Sequence, residues 1–320
     1  MAIVPPATDL ADCFRRDSEW LTGPGMKLGL AVSGGPDSLA LLQLANAAFP
    51  GMVEAATVDH GIRPESGAEA SFVAGICGGL GVPHAILSAD APIAGNIQSG
   101  ARALRYRLLA AWAKAGGLDW ILTAHHREDQ AETLIMRLNR GAGLSGLSGV
   151  RASTHIAGAA IARPLLGWPR AALAGIVEQA GIDPVRDPSN VDERYDRARL
   201  RRQIADADWI DSAAWVRSVD ALAEAEAALE WTADRIMEER IDSVAGGVTL
   251  DPADLPPELR RRLVLRLLAL LAPGDEPPRG DAVQRLLTTL GAGDTATLAS
   301  VKCTGGAVWR FVPAPPRNVP

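Results

Sequence analysis

Over its first 150 residues the chain alternates short apolar runs with longer helix-like segments, and this alternation limits the fold more than any other property. Residues 27–33 (KLGLAVS), 52–58, 85–88 and 120–123 read as strands, and residues 38–48, 67–80, 97–116 and 125–139 as helices. A parallel neighbour can be reached only through a long connection, so strands separated by helices of this length make parallel crossover units. The expected fold class is α/β, an open, mostly parallel sheet with helices on both faces. Such sheets bind ligands beyond the carboxyl ends of their strands. Three polar clusters (SGG, DH and HH) each follow a predicted strand, so they are expected on one rim.

Residues 161–165 and 171–180 read as one more strand and helix, and residues 184–204, rich in Pro, Asp and Arg, as a boundary. The texture then changes. Trp215, Val219, Leu222, Leu229 and Ile236 recur at intervals of three, four or seven, the pattern of one long amphipathic helix over 212–240. Residues 257–271 and 281–290 read as further helices. The expected division is a catalytic domain over 1–205 and a smaller, mostly helical domain over 212–320, ending in the Pro-rich PAPPRNVP.

Composition narrows the class. With 48% apolar and 22% charged residues, the chain is neither disordered nor collagen-like. The three cysteines, Cys13, Cys77 and Cys303, lie far apart, which excludes a disulfide scaffold or a CxxC metal site. No run of 18 apolar residues is present, and the N-terminus lacks the basic-then-apolar pattern of a secretory signal. The expectation is a cytoplasmic protein that does not engage a membrane. The net charge of −6 argues against holding nucleic acid by overall charge, so any such binding must use a local basic patch.

The segment Ser33-Gly34-Gly35-Pro36-Asp37-Ser38 lies between a predicted strand and helix. Its glycines let backbone N–H groups approach an anion closely, and the following helix adds unpaired N–H groups and a positive dipole end. Ser33 and Ser38 add hydroxyls, and Asp37 is placed to hold Mg²⁺ against phosphates. The plain alternative for the two glycines alone is a tight turn with a helix cap. Three further clusters accompany the loop. Asp59, His60 and Arg63 (VDHGIR) end the second strand, where they either reach a ribose, metal or phosphate or merely cap a helix. Gln98, Arg102 and Arg105 share one helix face at i, i+4 and i+7. Two guanidiniums there suit phosphate or carboxylate, although periodicity alone favours a solvated face. In HHREDQAET, His125, Asp129 and Glu132 fall at the same spacing and present an imidazole with two carboxylates, able to bind a metal or a substrate's ammonium groups. The alternative there is an exposed polar face.

SGGPDS resembles the pyrophosphate loop of the N-type ATP pyrophosphatases, which cleave ATP between the α and β phosphates to adenylate an oxygen atom. Together with VDHGIR (58–63), NIQ and ARALRY (96–106), HHREDQAET (125–133), RLNRGAGLSGLSG (137–149), RPLL (163–166) and DPSNVDERYDRARLRRQI (187–204), it is similar to one family, the tRNA(Ile)-lysidine synthetases. The resemblance spans about residues 25–205. It departs at Glu128, where many members carry Asp, so the carboxylate role is moved to Asp129 and Glu132. It departs again at Ala198, inside a usual RNxxR pattern.

The resemblance implies that ATP adenylates the C2 oxygen of the wobble cytidine in a CAU-anticodon isoleucine tRNA. The amine of free L-lysine then expels AMP. It implies ATP contacts from Ser33, Gly34, Gly35, Pro36, Asp37, Ser38, Asp59, His60 and Arg63, with Mg²⁺ on Asp37. It implies lysine contacts from Asp129, Glu132 and Arg105, and catalytic roles for Asp37, His125, Asp129 and Glu132. Arg194, Arg197, Arg199, Arg201 and Arg202, crowded into nine residues, are expected to hold tRNA phosphates; a solvated linker is the alternative. The rival activities are those of a tRNA thiolase or an amide synthetase of the same superfamily. Cytidine thiolases of this type use cysteine pairs, and none is present here. A catalytically silent nucleotide sensor or RNA-binding module is the rival of another class.

Overall fold

In a computed structural model of the chain, residues 3–61, 66–88, 97–185, 196–205, 207 and 211–314 are described. They form two compact units, Met1–Ala223 and Glu224–Pro320.

The first unit is built on a six-stranded sheet. Its strands are β1 (Leu28–Ala31), β2 (Val53–Asp59), β3 (His84–Ser88), β4 (Trp120–Leu122), β5 (Ser153–Ile156) and β6 (Ala159–Ala162), in the spatial order β3-β2-β1-β4-β6-β5. All pairings are parallel except the β5–β6 hairpin. The chain moves outward from β1 through β2 to β3, then returns to lay β4 on the other side of β1. The strand order therefore reverses between β1 and β4, and that crevice is where an open α/β sheet receives its ligand.

The helices of the first unit are α1 (Thr8–Asp17), α2 (Pro36–Ala48), α3 (Ser66–Leu80), α4 (Ile97–Gly116), α5 (Arg127–Leu138), the one-turn α6 (Leu144–Leu147), α7 (Arg170–Gln179) and α8 (Asp196–Ala205). On one face of the sheet, Leu39, Leu42, Val73, Cys77, Leu173 and Ile176 from α2, α3 and α7 share a core with Leu28 and Leu30 of β1. On the other face, Tyr106, Leu109 and Ala113 of α4 pack with Ala56, Ile121 and Ile161. The central strand is covered on both sides, which is why KLGLAVS reads as a nearly continuous apolar run.

The second unit was expected to be mostly helical. Its helices are present: the end of α9 (Ser212–Arg240), α10 (Pro257–Leu271) and α11 (Gly280–Gly291). They pack on a five-stranded antiparallel sheet absent from the sequence reading, formed by β7 (Ile241–Val244), β8 (Gly247–Leu250), β9 (Thr295–Leu298), β10 (Val301–Thr304) and β11 (Trp309–Pro313) in the order β7-β8-β11-β10-β9. Leu263, Leu267, Leu286, Leu290, Val301 and Phe311 form its core. The strands were hidden because they are short and one hairpin lacks a usual turn signal. The β9–β10 turn is Ala299-Ser300, both at positive φ, a conformation that normally selects Gly or Asn. Buried Arg262 is matched by buried Glu226 in a bidentate pair.

The expected boundary, between residues 205 and 212, differs from the division found at 223/224, inside α9. The early part of that helix belongs to the first unit. Val219 is buried there against Gly149, where a Cβ would lie 2.3 Å from Val219 Cγ1 and 2.7 Å from Gln130 Oε1. Gly149 also has φ +70°. The Gly149→Ala variant is expected to lose about 2–4 kcal/mol from overpacking and backbone strain together, read as a lower denaturation midpoint.

Candidate active site

The loop after β1 is held by its own hydroxyls. Ser38 Oγ accepts from the Ser33 backbone N–H (3.2 Å), donates to the Gly35 carbonyl (2.9 Å) and lies 3.3 Å from Ser33 Oγ. Gly34 has φ +86°, and its carbonyl accepts from the Val185 N–H at 2.9 Å. A Cβ there would press on Val185 and Val73 at 3.0 and 3.2 Å, so glycine is required both for conformation and for space. Pro36 opens α2 at a position where a missing N–H costs nothing. The loop is thus a rigid concave turn at a helix N-terminus, the geometry that receives phosphate.

The segment after β4 meets this loop. His126, 2% exposed, precedes α5, and its backbone N–H donates to Asp129 Oδ2 at 3.0 Å. Its Nε2 lies 3.6 Å from Asp37 Oδ2 and 3.6 Å from Asp129 Oδ2, and its Nδ1 is 3.0 Å from Glu128 Oε2. Burial alone would lower the imidazole pKa. The Glu128 hydrogen bond and the Asp129, Asp37 and Glu128 charges outweigh it, so the net shift is upward. For Asp37, burial is the largest influence and raises the pKa, with Asp129 adding to the rise; His126, Arg170 and Arg201 act against it. Asp37 Oδ1 is buried without a hydrogen-bond partner, 4.0 Å from Arg170 Nε. A buried carboxylate oxygen left open beside a second carboxylate suits a divalent cation.

A third group comes from α8. Arg201 donates to buried Glu132 through Nε (2.6 Å) and Nη2 (3.2 Å), and its Nη2 lies 3.8 Å from Asp129 Oδ1. Arg201 was expected to hold tRNA phosphate. In this structure it is paired with the carboxylates, because two acids recessed at the head of α5 need a cation. Arg199 and Arg202 are exposed on the same helix. Arg63 and Arg194 lie outside the described residues, as does the side chain of Arg197.

Other expectations shift. His125, Asp129 and Glu132 do not share a helix face, since α5 begins at Arg127. The imidazole beside Asp129 is that of His126, while His125 Nδ1 lies 2.9 Å from Thr123 Oγ1. Asp59 turns back on its own loop, accepting from the Gly61 N–H at 2.9 Å. A Ser66 hydrogen bond and then that N–H hold its pKa low. His60 follows it, with Nδ1 buried and unpartnered; burial and then the Arg105 charge lower its pKa. Arg102 does not form a free pair with exposed Arg105 but stacks over the Tyr106 ring at 5.1 Å. The side chain of Gln98 lies outside the described residues.

Glu128, passed over in the sequence because that position departs from the usual residue, holds the site together. Its Oε2 also accepts from the Arg170 N–H at 3.0 Å, which joins α5 to the start of α7. Burial would raise its carboxyl, but the His126 hydrogen bond and the Arg170 N–H bring it down to about 2. A carboxyl lowered on folding contributes stability above its ordinary 4.5 and loses it as pH falls through about 2. Glu128→Gln is therefore expected to flatten the acid limb of the stability profile, measured by denaturation between pH 5 and pH 2. Gln130 was likewise missed. Its side chain accepts from the Val150 N–H (2.6 Å) and donates to the Val150 carbonyl (3.0 Å). Arg137 donates to the Gly149 carbonyl at 2.9 Å and also reaches the Gly146 carbonyl, so both residues pin the glycine-rich segment onto α5. The signal for them was their place in the HHREDQAET and RLNRGAGLSGLSG strings.

A phosphate loop, an adjoining acid–imidazole cluster and a reversal of strand order define a PP-loop, ATP-using enzyme, and the PP-loop domain family matches residues 14–208. A tRNA(Ile)-lysidine synthase of Novosphingobium aromaticivorans is 47% identical over 310 residues, covering 95% of this chain and 94% of its own. That of Zymomonas mobilis is 46% identical over 298 residues, covering 91% and 90%. The chain belongs to the tRNA(Ile)-lysidine synthase family. Among solved structures, a tRNA thiolase of Methanococcus maripaludis aligns with a TM-score of 0.55 at 17% identity, over 68% of this chain and 80% of its own, a likeness of fold. Cys77 and Cys303 are buried thiols pushed up to about 12, so they stay protonated and unreactive. No helix among the described residues is long and apolar enough to cross a membrane.

Proposed function

We propose that the protein joins free L-lysine to C2 of the wobble cytidine in a CAU-anticodon isoleucine tRNA, using ATP and releasing AMP and pyrophosphate. Family membership supports the reading, and one geometric observation carries it to residues. Two recessed carboxylates, Asp129 and Glu132, already hold a cation, and they adjoin the phosphate loop through His126 and Asp37.

The chemistry divides into two steps. The C2 oxygen of cytidine attacks the α-phosphorus of ATP, and pyrophosphate leaves into the loop Ser33–Ser38. The α2 N-terminus, the backbone N–H groups of Gly34 and Gly35 and the raised-pKa imidazole of His126 stabilise the charge that develops there. Asp37 is the residue proposed to hold Mg²⁺, and its open Oδ1 fits that role. A bound cation would neutralise pyrophosphate charge. In the second step a lysine amine attacks C2 and AMP leaves, which replaces a poor leaving group by a good one. An amine of pKa about 10.4 must first lose a proton. Asp129 and Glu132 hold the ammonium groups, and His125, oriented by Thr123, or one of the carboxylates takes the proton. The guanidinium of Arg201 occupies the place a substrate ammonium needs, so it must yield when lysine enters. Arg199 and Arg202, with Arg194 and Arg197, are proposed to contact tRNA phosphates. The second unit is proposed to grip the tRNA.

The test uses labelled lysine, ATP, Mg²⁺ and transcripts of the CAU isoleucine and methionine tRNAs. Label entering the isoleucine transcript alone, with pyrophosphate released, is the expected result. Nucleotide binding without label in either transcript would move the reading to another acceptor.

A further inference from the structure

At the carboxyl edge of the sheet lies an arginine that neither the sequence reading nor the proposed chemistry uses. Arg163 directly follows β6 and is 5% exposed. Its backbone N–H extends the β5–β6 hairpin by donating to the Ala152 carbonyl (2.8 Å), and its Nη1 donates to the Arg151 carbonyl (2.7 Å). Its Nε is buried with no hydrogen-bond partner, and among the described residues no carboxylate pairs with it. Among the described residues the groups bearing on it are the hydroxyl of buried Tyr106, which hydrogen-bonds to it, and a second cation, Arg102, stacked over that tyrosine's ring. Arg102 has no acidic partner among the described residues either.

A buried guanidinium without a counter-charge is costly, and folds seldom tolerate one without a use. The carbonyl contact at Nη1 and the Tyr106 hydroxyl offset only part of that cost, and the edge that carries Nε keeps that donor without a partner. That edge of a guanidinium is the fork that grips two oxygens of one carboxylate or phosphate at once. Its position also fits. β6 pairs with β4, and the Ala162 carbonyl accepts from the Thr123 N–H, so Arg163 stands on the same rim as His125 and His126.

We propose that Arg163, assisted by Arg102, is an oxyanion subsite that receives a carboxylate or phosphate of a substrate other than the ATP pyrophosphate. The inference rests on the lysine-ligating reading. That reading supplies two such oxyanions, the α-carboxylate of lysine and a backbone phosphate beside the target cytidine. The subsite complements Asp129 and Glu132, which can hold only the cationic end of an amino acid.

The experiment compares wild type with Arg163→Lys, Arg163→Gln and Arg102→Gln, using labelled lysine and, in parallel, labelled cadaverine, which lacks the carboxylate. Wild-type incorporation of lysine tests the underlying reading independently, before any variant is considered. If the subsite takes the carboxylate, the Arg163 variants raise KM for lysine at least tenfold and leave cadaverine unchanged. Arg102→Gln then shows a smaller rise in the same direction. If it takes the RNA phosphate, KM for tRNA rises, the salt dependence of tRNA binding flattens by about one phosphate contact, and lysine and cadaverine behave alike. An arginine that only staples the hairpin through the Arg151 carbonyl would lower Tm and leave both KM values untouched. That outcome in Arg163→Lys, together with a silent Arg102→Gln, overturns the proposal. Arg102 is exposed, so its variant remains informative even if the Arg163 variants fold poorly.

Discussion

Replacing Glu132 with Gln is expected to abolish lysine transfer while pyrophosphate release on the isoleucine tRNA continues. Glu132 is recessed at 2% exposure and binds a cation through both oxygens. Removing one charged partner of a buried hydrogen-bonded pair costs about 2–5 kcal/mol. At about 1.4 kcal/mol per tenfold, that corresponds to a fall in lysine incorporation of roughly 30-fold to a few thousand-fold. Asp129→Asn should act in the same direction. Its carboxylate also accepts from the His126 N–H and faces the His126 ring, so some loss of the first step accompanies it. The separation between the two steps is the diagnostic. Labelled lysine and released pyrophosphate are followed on the same sample. Lysine incorporation at the wild-type rate in Glu132→Gln would sink the assignment of the carboxylate pair. Because Arg201 then loses its bidentate partner, a lower Tm is expected as well.

Asp37→Asn is the complementary experiment, and there the first step should fail. Asp37 combines an open, buried oxygen with contacts to His126 and Arg170 at the mouth of the loop. The amide keeps the size of the side chain but removes its charge, so cation binding and the electrostatic balance around the pyrophosphate are both lost. Removing one such stabilising group from an active site costs about 100- to 1000-fold in rate. Pyrophosphate release and lysine incorporation should drop together, since the second step has nothing to act on without the first. A variant that still releases pyrophosphate at the wild-type rate would remove Asp37 from the phosphate chemistry. Its stability should change little, since the raised pKa of Asp37 shows that its charge is not favoured by the fold.

Much of the site could be read from the chain because its groups lie close in sequence to structural punctuation. SGGPDS sits between an apolar run and a helix, and HHREDQ does the same three crossovers later. Elements of strong periodicity were equally plain: α4, α9 and α10 begin and end at their sequence-read residues. What failed had weak local signals. β5 is a four-residue edge strand, and its turn uses Ala157 at φ 52° before Gly158. The second sheet was missed for the same reason, at Ala299-Ser300. At the site, the face shared by His125, Asp129 and Glu132 was misjudged. Helical spacing was extended two residues before the helix begins, and the imidazole beside Asp129 is that of His126, which the spacing passed over.

The sequence alone determined the fold class, the phosphate loop and the family, since strand–helix alternation and short motifs are local properties that a chain carries whether or not it is folded. Tertiary structure alone decided which of these groups meet. The reversal of strand order between β1 and β4 brings His126 against Asp37, although 88 residues separate them. The packing of α8 on α5 turns Arg201, one of several arginines in a basic run, into the partner of Glu132. Burial turns Arg163 from one residue of RPLL into a cation that no carboxylate of the described residues pairs. Burial and long-range pairing depend on the whole sheet, and no window of sequence contains them.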